Sequence, residues 1–159
     1  MLAFLGFTVG LATNAAAAAA AAVPDLRLTR RTVTRKAEYT ISMLPTATHL
    51  FHFSALTFNA HAVHLDAQRA RSTDGHRDLL VHGPLTLALM LHVLGGRVAD
   101  ITYRNYAPLY VDEIMTVCVG GAEDVAGSRV RHVWVDGPDG GLAVKGTATM
   151  EDEEAARHE

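Results

Sequence analysis

The chain has 159 residues, enough for one compact domain, and 49% of them are hydrophobic, which is too apolar for a disordered chain. With 14 Lys and Arg against 17 Asp and Glu, the formal net charge is -3, so no broad positive field is present to bind nucleic acid. The single cysteine, Cys118, excludes an internal disulfide and any site that needs several thiolates, such as an iron–sulfur cluster.

The first 23 residues carry no charge and include an alanine run at 15–22. A secretory signal would begin with Lys or Arg, which are absent here. A membrane span fits by length, but Thr and Asn interrupt the apolar run. A mitochondrial presequence would have basic residues throughout, and here they come only after the alanine run. Because none of the three fits well, we interpret residues 1–35 as an Ala-rich and basic low-complexity extension outside the fold. We expect no firm membrane association, and the compartment stays open between mitochondrial and cytoplasmic.

Residues 36–150 carry a continuous pattern of elements that predicts a single domain, followed by an acidic tail at 151–159. Apolar residues at three- and four-residue steps predict a helix from Pro45 to Phe58, after which a loop begins near Asn59. A short helical piece follows at 66–71, and residues 72–76 are typical of a turn.

The clearest element is a helix over residues 84–94. Gly83 and Pro84 are typical of a helix start, since proline is preset for the first helical position, and two glycines end the segment. Only Thr86 and His92 are polar within it. The pattern therefore predicts a helix that is apolar on nearly every side and buried.

Four runs rich in Val, Thr, Tyr and Ile predict β-strands at 98–106, 113–119, 129–136 and 142–150. The sequence Pro-Asp-Gly-Gly at 138–141 predicts a hairpin turn between the last two. A buried helix followed by antiparallel strands suggests a sheet curled around that helix, which is an α+β arrangement.

Two motifs carry a resemblance to a known family. Residues 53–59 read Phe-Ser-Ala-Leu-Thr-Phe-Asn and are followed by His61 and His64, and residues 79–85 read Leu-Leu-Val-His-Gly-Pro-Leu. Over about residues 45–120 the chain resembles the MaoC-like, R-specific enoyl-thioester hydratases and dehydratases. It is most similar to the branch that includes hydroxyacyl-thioester dehydratase type 2 and mesaconyl-CoA hydratase.

The resemblance implies a hot-dog fold, in which an antiparallel sheet wraps around a central helix. It also implies hydration of an enoyl-thioester, or dehydration of a 3-hydroxyacyl-thioester, carried by CoA or an acyl carrier protein. No metal or redox cofactor is implied.

The resemblance places Asn59 and His64 beside the reacting carbons of the substrate; the broad family has Asp at the first position, and we expect Asn in this branch. His64 can exchange protons near neutral pH, whereas the Asn59 amide can only orient a water molecule. Gly83 is the expected N–H donor to the thioester oxygen at the positive end of the helix, since proline has no N–H. The predicted catalytic residues are His64, Asn59 and Gly83, and the predicted substrate contacts are His61, His82, Pro84 and Leu85.

Each of these residues also has a simpler interpretation. His64 can be an ordinary loop histidine, and Asn59 can cap a turn. His61 can ligate a metal together with His64, but no matching histidine spacing or acid pair completes a site, so we predict no metal. We expect His82 to fix the loop before the helix rather than to catalyse, and Cys118 to be an inert core residue.

Ala62 and Leu65 depart from the branch, which commonly has Arg and Tyr at these positions. This departure favours the alternative of a non-catalytic hot-dog module that binds acyl-thioesters or a partner. Arg104 and Asn105 can contact the phosphate of the acyl carrier, although exposed polar residues are usual on a strand. A thioesterase is a weaker third interpretation. Hot-dog thioesterases usually place a carboxylate near the central helix, and residues 79–98 contain no Asp or Glu.

A curled sheet with one central helix leaves an open edge and an incompletely covered pocket, which small hot-dog subunits close by pairing. We therefore expect a homodimer. Some relatives carry a companion hot-dog half on the N-terminal side, and residues 1–35 are too few to build one. Either two copies pair, or the chain is a truncated remnant without a proper acyl pocket.

Overall fold

The computed structural model describes residues 33–34 and 36–151, which form one five-stranded antiparallel sheet and three α-helices. The elements in chain order are β1 (Ala37–Met43), α1 (Ala47–Thr57), a single 3-10 turn (Ala62–His64), α2 (Ala67–Ser72), α3 (Gly83–Leu94), β2 (Val98–Asn105), β3 (Met115–Val125), β4 (Ser128–Asp136) and β5 (Leu142–Met150). The predicted α+β class is confirmed. The predicted N-terminal extension and acidic tail lie almost wholly outside the described residues and stay predictions.

The strands lie in the order β1-β3-β4-β5-β2, and every neighbouring pair is antiparallel. Although β2 directly follows α3, it pairs with β5 at one edge of the sheet, while β1 forms the other edge. The predicted hairpin between β4 and β5 is confirmed, with the Gly137 N–H donating to the Gly141 carbonyl at 2.8 Å. Among the residues that the structure describes, no helix has the length and apolarity needed to cross a bilayer.

Helix α3 packs against one face of the sheet. Met90 and Leu94 are buried in the main core, together with Val133 and Val135 of β4. Gly146 of β5 allows this approach, because a Cβ atom there would lie 2.8 Å from Met90 Cε. The absence of a side chain at this one position therefore sets how closely the helix lies on the strands.

The prediction that this helix is buried all round is wrong for the single chain. Pro84, Ala88 and His92 are exposed and form a stripe along α3 at four-residue spacing. The reason is that five strands cover only one side of the helix. The helix also begins at Gly83, one residue earlier than expected, and it ends as predicted at Gly95, whose φ is 63°.

Two strands differ from the sequence-based expectation. β1 was not predicted, since Ala37–Met43 is a largely exposed edge strand with a weak apolar signal. β3 runs to Val125 instead of ending at Val119, and its pairing with β4 shifts register between Val119 and Ala122. This irregularity spans two glycines, which are strong breakers in a sequence pattern but are tolerated at a bulge.

Cys118 lies in a second, smaller cluster with Trp134 and Leu142, apart from the main core. Burial, followed by the neighbouring Asp136 carboxylate, raises the pKa of the Cys118 thiol to about 11. The thiol is therefore neutral at physiological pH, so the predicted burial of Cys118 is confirmed and its inertness stays a prediction that this pKa supports.

Candidate active site

The loop that carries His64 is built by the end of α1. Phe58 caps this helix in the left-handed conformation, with a φ of 53°, and the Asn59 N–H donates to the Ser54 carbonyl at 2.9 Å. The side-chain oxygen of Asn59 then accepts the His61 N–H at 3.2 Å. The turn-capping interpretation of Asn59 is therefore confirmed, while its role in orienting water stays a prediction.

His64 is half-buried, and its tautomer follows from one hydrogen bond. Its Nδ1 atom lies 2.9 Å from the carbonyl oxygen of Leu80. A carbonyl oxygen can only accept, so Nδ1 carries the proton and the lone pair resides on Nε2. Burial lowers the pKa of His64 below 6.5 despite the opposing effect of this hydrogen bond, and the nearby His61 lowers it further. His64 is thus a neutral base at pH 7.

His82 lies directly behind His64. The two rings stack with their centroids 3.7 Å apart and an interplanar angle of 23°. His82 is fully buried, and its Nε2 atom lies 2.9 Å from the Ser54 hydroxyl. The expectation that His82 fixes the loop is consistent with these contacts. The prediction that the His82 side chain contacts the substrate is wrong for this conformation, because no part of its ring is exposed.

Ser54 was not recognised as part of the site from the sequence. It is one of three buried polar residues in the described part of the chain, with His82 and Thr86, and it links α1 to the segment before α3. A serine among the apolar positions of a helix is the only signal that the sequence offered. Its partner lies 28 positions away in the chain, so the pairing could not be foreseen.

We expect the buried His82 to make the fold sensitive to acid. Burial, with smaller contributions from His64 and His61, lowers the pKa of His82 from 6.5 to about 4. The unfolded chain therefore binds a proton before the folded chain does. The stability that neutral His82 contributes is fully present above pH 6.5 and is lost as the pH falls towards 4, by up to about 3 kcal/mol.

Urea unfolding at about pH 7.5 and about pH 4.5 would measure this loss. A His82→Gln variant should lose less stability on acidification than the wild type, because the glutamine does not titrate. The exposed His52 offers a matched control, and His52→Gln should keep the wild-type pH dependence. The same acid loss in His82→Gln as in the wild type would contradict the assignment.

Gly83 opens α3, and its N–H has no hydrogen-bond acceptor among the residues that the structure describes. It borders an open cleft of about 330 Å³ between the start of α3 and the loop after β2. The walls of the cleft are mainly apolar, and Asn105 and Thr86 are its polar side chains apart from Tyr106. The cleft therefore presents one unpaired backbone donor at the positive end of a helix.

His64 does not line this cleft in the single chain. It approaches the cleft through Leu80, a lining residue whose carbonyl accepts the His64 hydrogen bond, and through the stacked ring of His82, which directly precedes Gly83. His64 thus lies near the leading end of α3 through its contact with His82, whereas its convergence with the Gly83 N–H on one cavity stays a prediction.

The remaining predicted substrate contacts do not line the cleft either. Pro84 is exposed at the first turn of α3, and Leu85 packs partly against the main core. His61 is exposed, and its ring centroid lies 6.4 Å from that of His64. These residues therefore do not border this cleft in the single chain, and their contact with substrate stays a prediction. No cluster of three His, Cys, Asp or Glu suited to a metal ion occurs among the described residues.

An antiparallel sheet curled around one helix, with a histidine loop against that helix's first turn, defines a protein of the hot-dog fold. The (R)-hydratase from A. caviae has this fold, with a TM-score of 0.63 and 22% identity over 70% of this chain and 90% of that one. R-Hydratase PhaJ1 from Pseudomonas aeruginosa matches with a TM-score of 0.64 and 22% identity, over 72% of this chain and 80% of that one. At this identity the likeness shows the fold.

The model of the hydroxyacyl-thioester dehydratase type 2 family matches residues 13–111, and the chain belongs to this family. Mesaconyl-C(4)-CoA hydratase of Chloroflexus aurantiacus is 32% identical over 115 residues, which are 70% of this chain and 39% of that protein. The mitochondrial hydroxyacyl-thioester dehydratase type 2 of Schizosaccharomyces pombe is 26% identical over 99 residues, or 58% of this chain and 30% of that protein. The resemblance predicted from the motifs is confirmed, and the chain spans less than half the length of these curated relatives.

Proposed function

We propose that this protein catalyses the reversible hydration of a 2-enoyl-thioester to a 3-hydroxyacyl-thioester carried by CoA or an acyl carrier protein. The observation that carries the proposal is the stacking of the neutral His64 ring on His82, the residue that directly precedes Gly83 and its unpaired N–H. The two curated relatives are named for hydration or dehydration of thioesters, which is the same class of reaction.

The reaction needs one base, one acid and a stabilised enolate oxygen. Nε2 of His64 takes a proton from water as the water oxygen bonds to the β-carbon, and the electron pair of the double bond moves towards the thioester carbonyl. The Gly83 N–H donates a hydrogen bond to the resulting enolate oxygen. His64 then returns its proton to the α-carbon, so that H and OH are added and the base is regenerated.

Asn59 supports this scheme as an orienting group and not as a base. Its neutral amide cannot take a proton, but the oxygen that accepts the His61 N–H has a second lone pair for a water molecule. The apolar side of the cleft offers a surface for the acyl group. Leu80, Val81 and Val144 contribute to that surface.

We further propose that a second copy of the chain covers the exposed side of α3. Three observations support this pairing: the exposed stripe of Pro84, Ala88 and His92, the free edge of β2, and the exposed aromatic residues on α1. A partner on this side would also enclose the region between His64 and the cleft. Size-exclusion chromatography with light scattering should give twice the chain mass, and a stable monomer would contradict the homodimer.

The second candidate is a module that binds acyl-thioesters without turnover. It is favoured by Asn59, whose carbonyl oxygen is already used to cap a turn, and by Ala62 and Leu65, which differ from the usual residues of the branch. In this case the cleft and the Gly83 N–H would hold the thioester, but no activated water would be present.

An assay of the purified full chain with crotonyl-CoA and a dicarboxylic enoyl-CoA separates the two candidates. We expect the absorbance of the conjugated enoyl-thioester to fall and the 3-hydroxyacyl product to appear by mass spectrometry. Saturable binding of both thioesters without product would select the binding module. Neither binding nor turnover would remove both candidates.

A further inference from the structure

The face of the sheet opposite α3 carries two positively charged side chains directly opposite each other. Arg104 of β2 pairs in register with Lys145 of β5, and both are exposed. Side chains alternate between the two faces of a strand, and the neighbouring Tyr103 and Val144 pack into the core on the α3 side. Arg104 and Lys145 therefore project together from the outer face.

No carboxylate neutralises this pair. Neither residue forms an ion pair with any described part of the chain, and the Arg104 guanidinium lies over the Tyr106 ring, 5.5 Å from the ring centroid. Like charges placed directly opposite each other destabilise a sheet. An anion bound between the two side chains would remove this repulsion.

The neighbouring side chains add groups suited to phosphate. The next pair in register on the same face is Thr102 and Thr147, whose hydroxyls lie beside the two cations, although that of Thr147 also contacts His132 Nδ1 at 3.2 Å. These four side chains border one open cleft of about 280 Å³. Guanidinium, ammonium and hydroxyl groups together are the donors that proteins use to bind phosphate oxygens.

Tyr106 joins this outer cleft to the cleft at Gly83, because it lines both. Asn105, the residue before it, turns to the α3 side, with its amide nitrogen 3.6 Å from the Cβ position of Gly83. A path therefore leads from the first turn of α3, past the end of β2, to Arg104. This path matches a thioester bound to its carrier, because the reacting group and the phosphate of such a thioester lie at opposite ends of the pantetheine arm.

We propose that Arg104 and Lys145 bind the phosphate of the thioester carrier while the thioester lies at Gly83. The assignment to a carrier rests on the proposed function, whereas the phosphate site itself rests on the outer cleft. Phosphate occurs both in the nucleotide end of CoA and in the phosphopantetheine arm of an acyl carrier protein. The nucleotide phosphates occur in CoA and not in the carrier protein, so their binding distinguishes the two carriers.

Calorimetry on the full chain tests the site without any turnover. The probes are adenosine 3′,5′-bisphosphate, 4′-phosphopantetheine and inorganic phosphate, and the variants are Arg104→Gln, Lys145→Gln and their combination. Each single variant should bind the carrier fragment about fivefold more weakly, and the double variant about 25-fold, with the wild-type affinity falling at high ionic strength. Each substitution removes a repulsion, so the variants should fold at least as stably as the wild type.

Arg129 is an exposed cation on β4 and provides the matched control, because Arg129→Gln removes the same charge elsewhere on the sheet. Its binding should equal that of the wild type. Equal binding by all variants, or binding of inorganic phosphate with neither carrier fragment, would overturn the site. Binding of the bisphosphate identifies CoA as the carrier, and binding of 4′-phosphopantetheine without the bisphosphate assigns the site to the pantetheine phosphate, which CoA and a carrier protein share.

Kinetic measurements on the same variants distinguish failure of the phosphate site from failure of the proposed function. The KM for crotonyl-CoA should rise with the loss of each charge while kcat is unchanged, and the crotonyl thioester of N-acetylcysteamine, which has no phosphate, should be unaffected. If no thioester is turned over, the proposed function fails, and the calorimetry still decides the phosphate site. If crotonyl-CoA is turned over with the same KM by Arg104→Gln and Lys145→Gln, the phosphate site fails and the function stands.

Discussion

Replacing His64 with glutamine should lower kcat for enoyl-thioester hydration by about 10²- to 10⁴-fold, the usual contribution of a positioned general acid–base. Glutamine can still donate to the Leu80 carbonyl, as His64 Nδ1 does at 2.9 Å, but it cannot take and return a proton. The fold should therefore persist while the proton shuttle is lost. Rates of crotonyl-CoA hydration by wild type and variant measure the effect.

The pH dependence gives a second readout of the same assignment. His64 is active as a base when neutral, and burial lowers its pKa below 6.5. The wild-type kcat/KM should thus be flat near pH 7 and fall on acidification below that pKa, by about tenfold per pH unit. His64→Gln should lose this fall of kcat/KM at low pH, and His52→Gln, at an exposed position, should retain both the wild-type rate and the wild-type pH profile. Equal rates for wild type and His64→Gln would contradict the role of His64.

The elements that position the site were largely predictable because their signals are local. The proline-led start of α3 and its terminal glycine each act within one helical turn, and both were recognised. The edge strand β1 was missed, since most of its side chains face solvent and alternate weakly. Its place is fixed by pairing with β3, some 75 residues later, which no local pattern reports.

The residues of the site were named by the motifs, but their arrangement was not. Stacking of His64 on His82 joins positions 18 apart, and the Ser54 contact joins positions 28 apart. The sequence predicted that His82 would face the substrate as well as support the loop, and burial removes the first role. The half-exposed α3 has a different cause: its sequence is apolar on nearly every side, but the five strands of one chain cover only one side of the helix.

Replacing Gly83 with proline should lower kcat by about 10²- to 10³-fold, because it removes the one N–H assigned to the enolate oxygen. The change suits the first turn of a helix, where proline is tolerated and the missing N–H has no partner within the helix. The preceding residue, His82, already has a φ of -63° and a ψ of 131°, the extended conformation that proline requires before it. The variant should therefore keep its fold, which circular dichroism can check.

Gly83→Ala is the matched control for this experiment. A Cβ atom at this position would lie 3.6 Å from the Asn105 amide nitrogen, an ordinary van der Waals contact, and the N–H remains. Alanine should consequently keep most of kcat, with any loss confined to KM through narrowing of the cleft. A similar loss in both variants would show that the glycine is needed for space, and full activity in a folded Gly83→Pro variant would remove this N–H from the mechanism. Only a much larger loss of kcat in the proline variant than in the alanine variant supports a backbone donor, since both carry a Cβ and only proline replaces the N–H with a ring carbon.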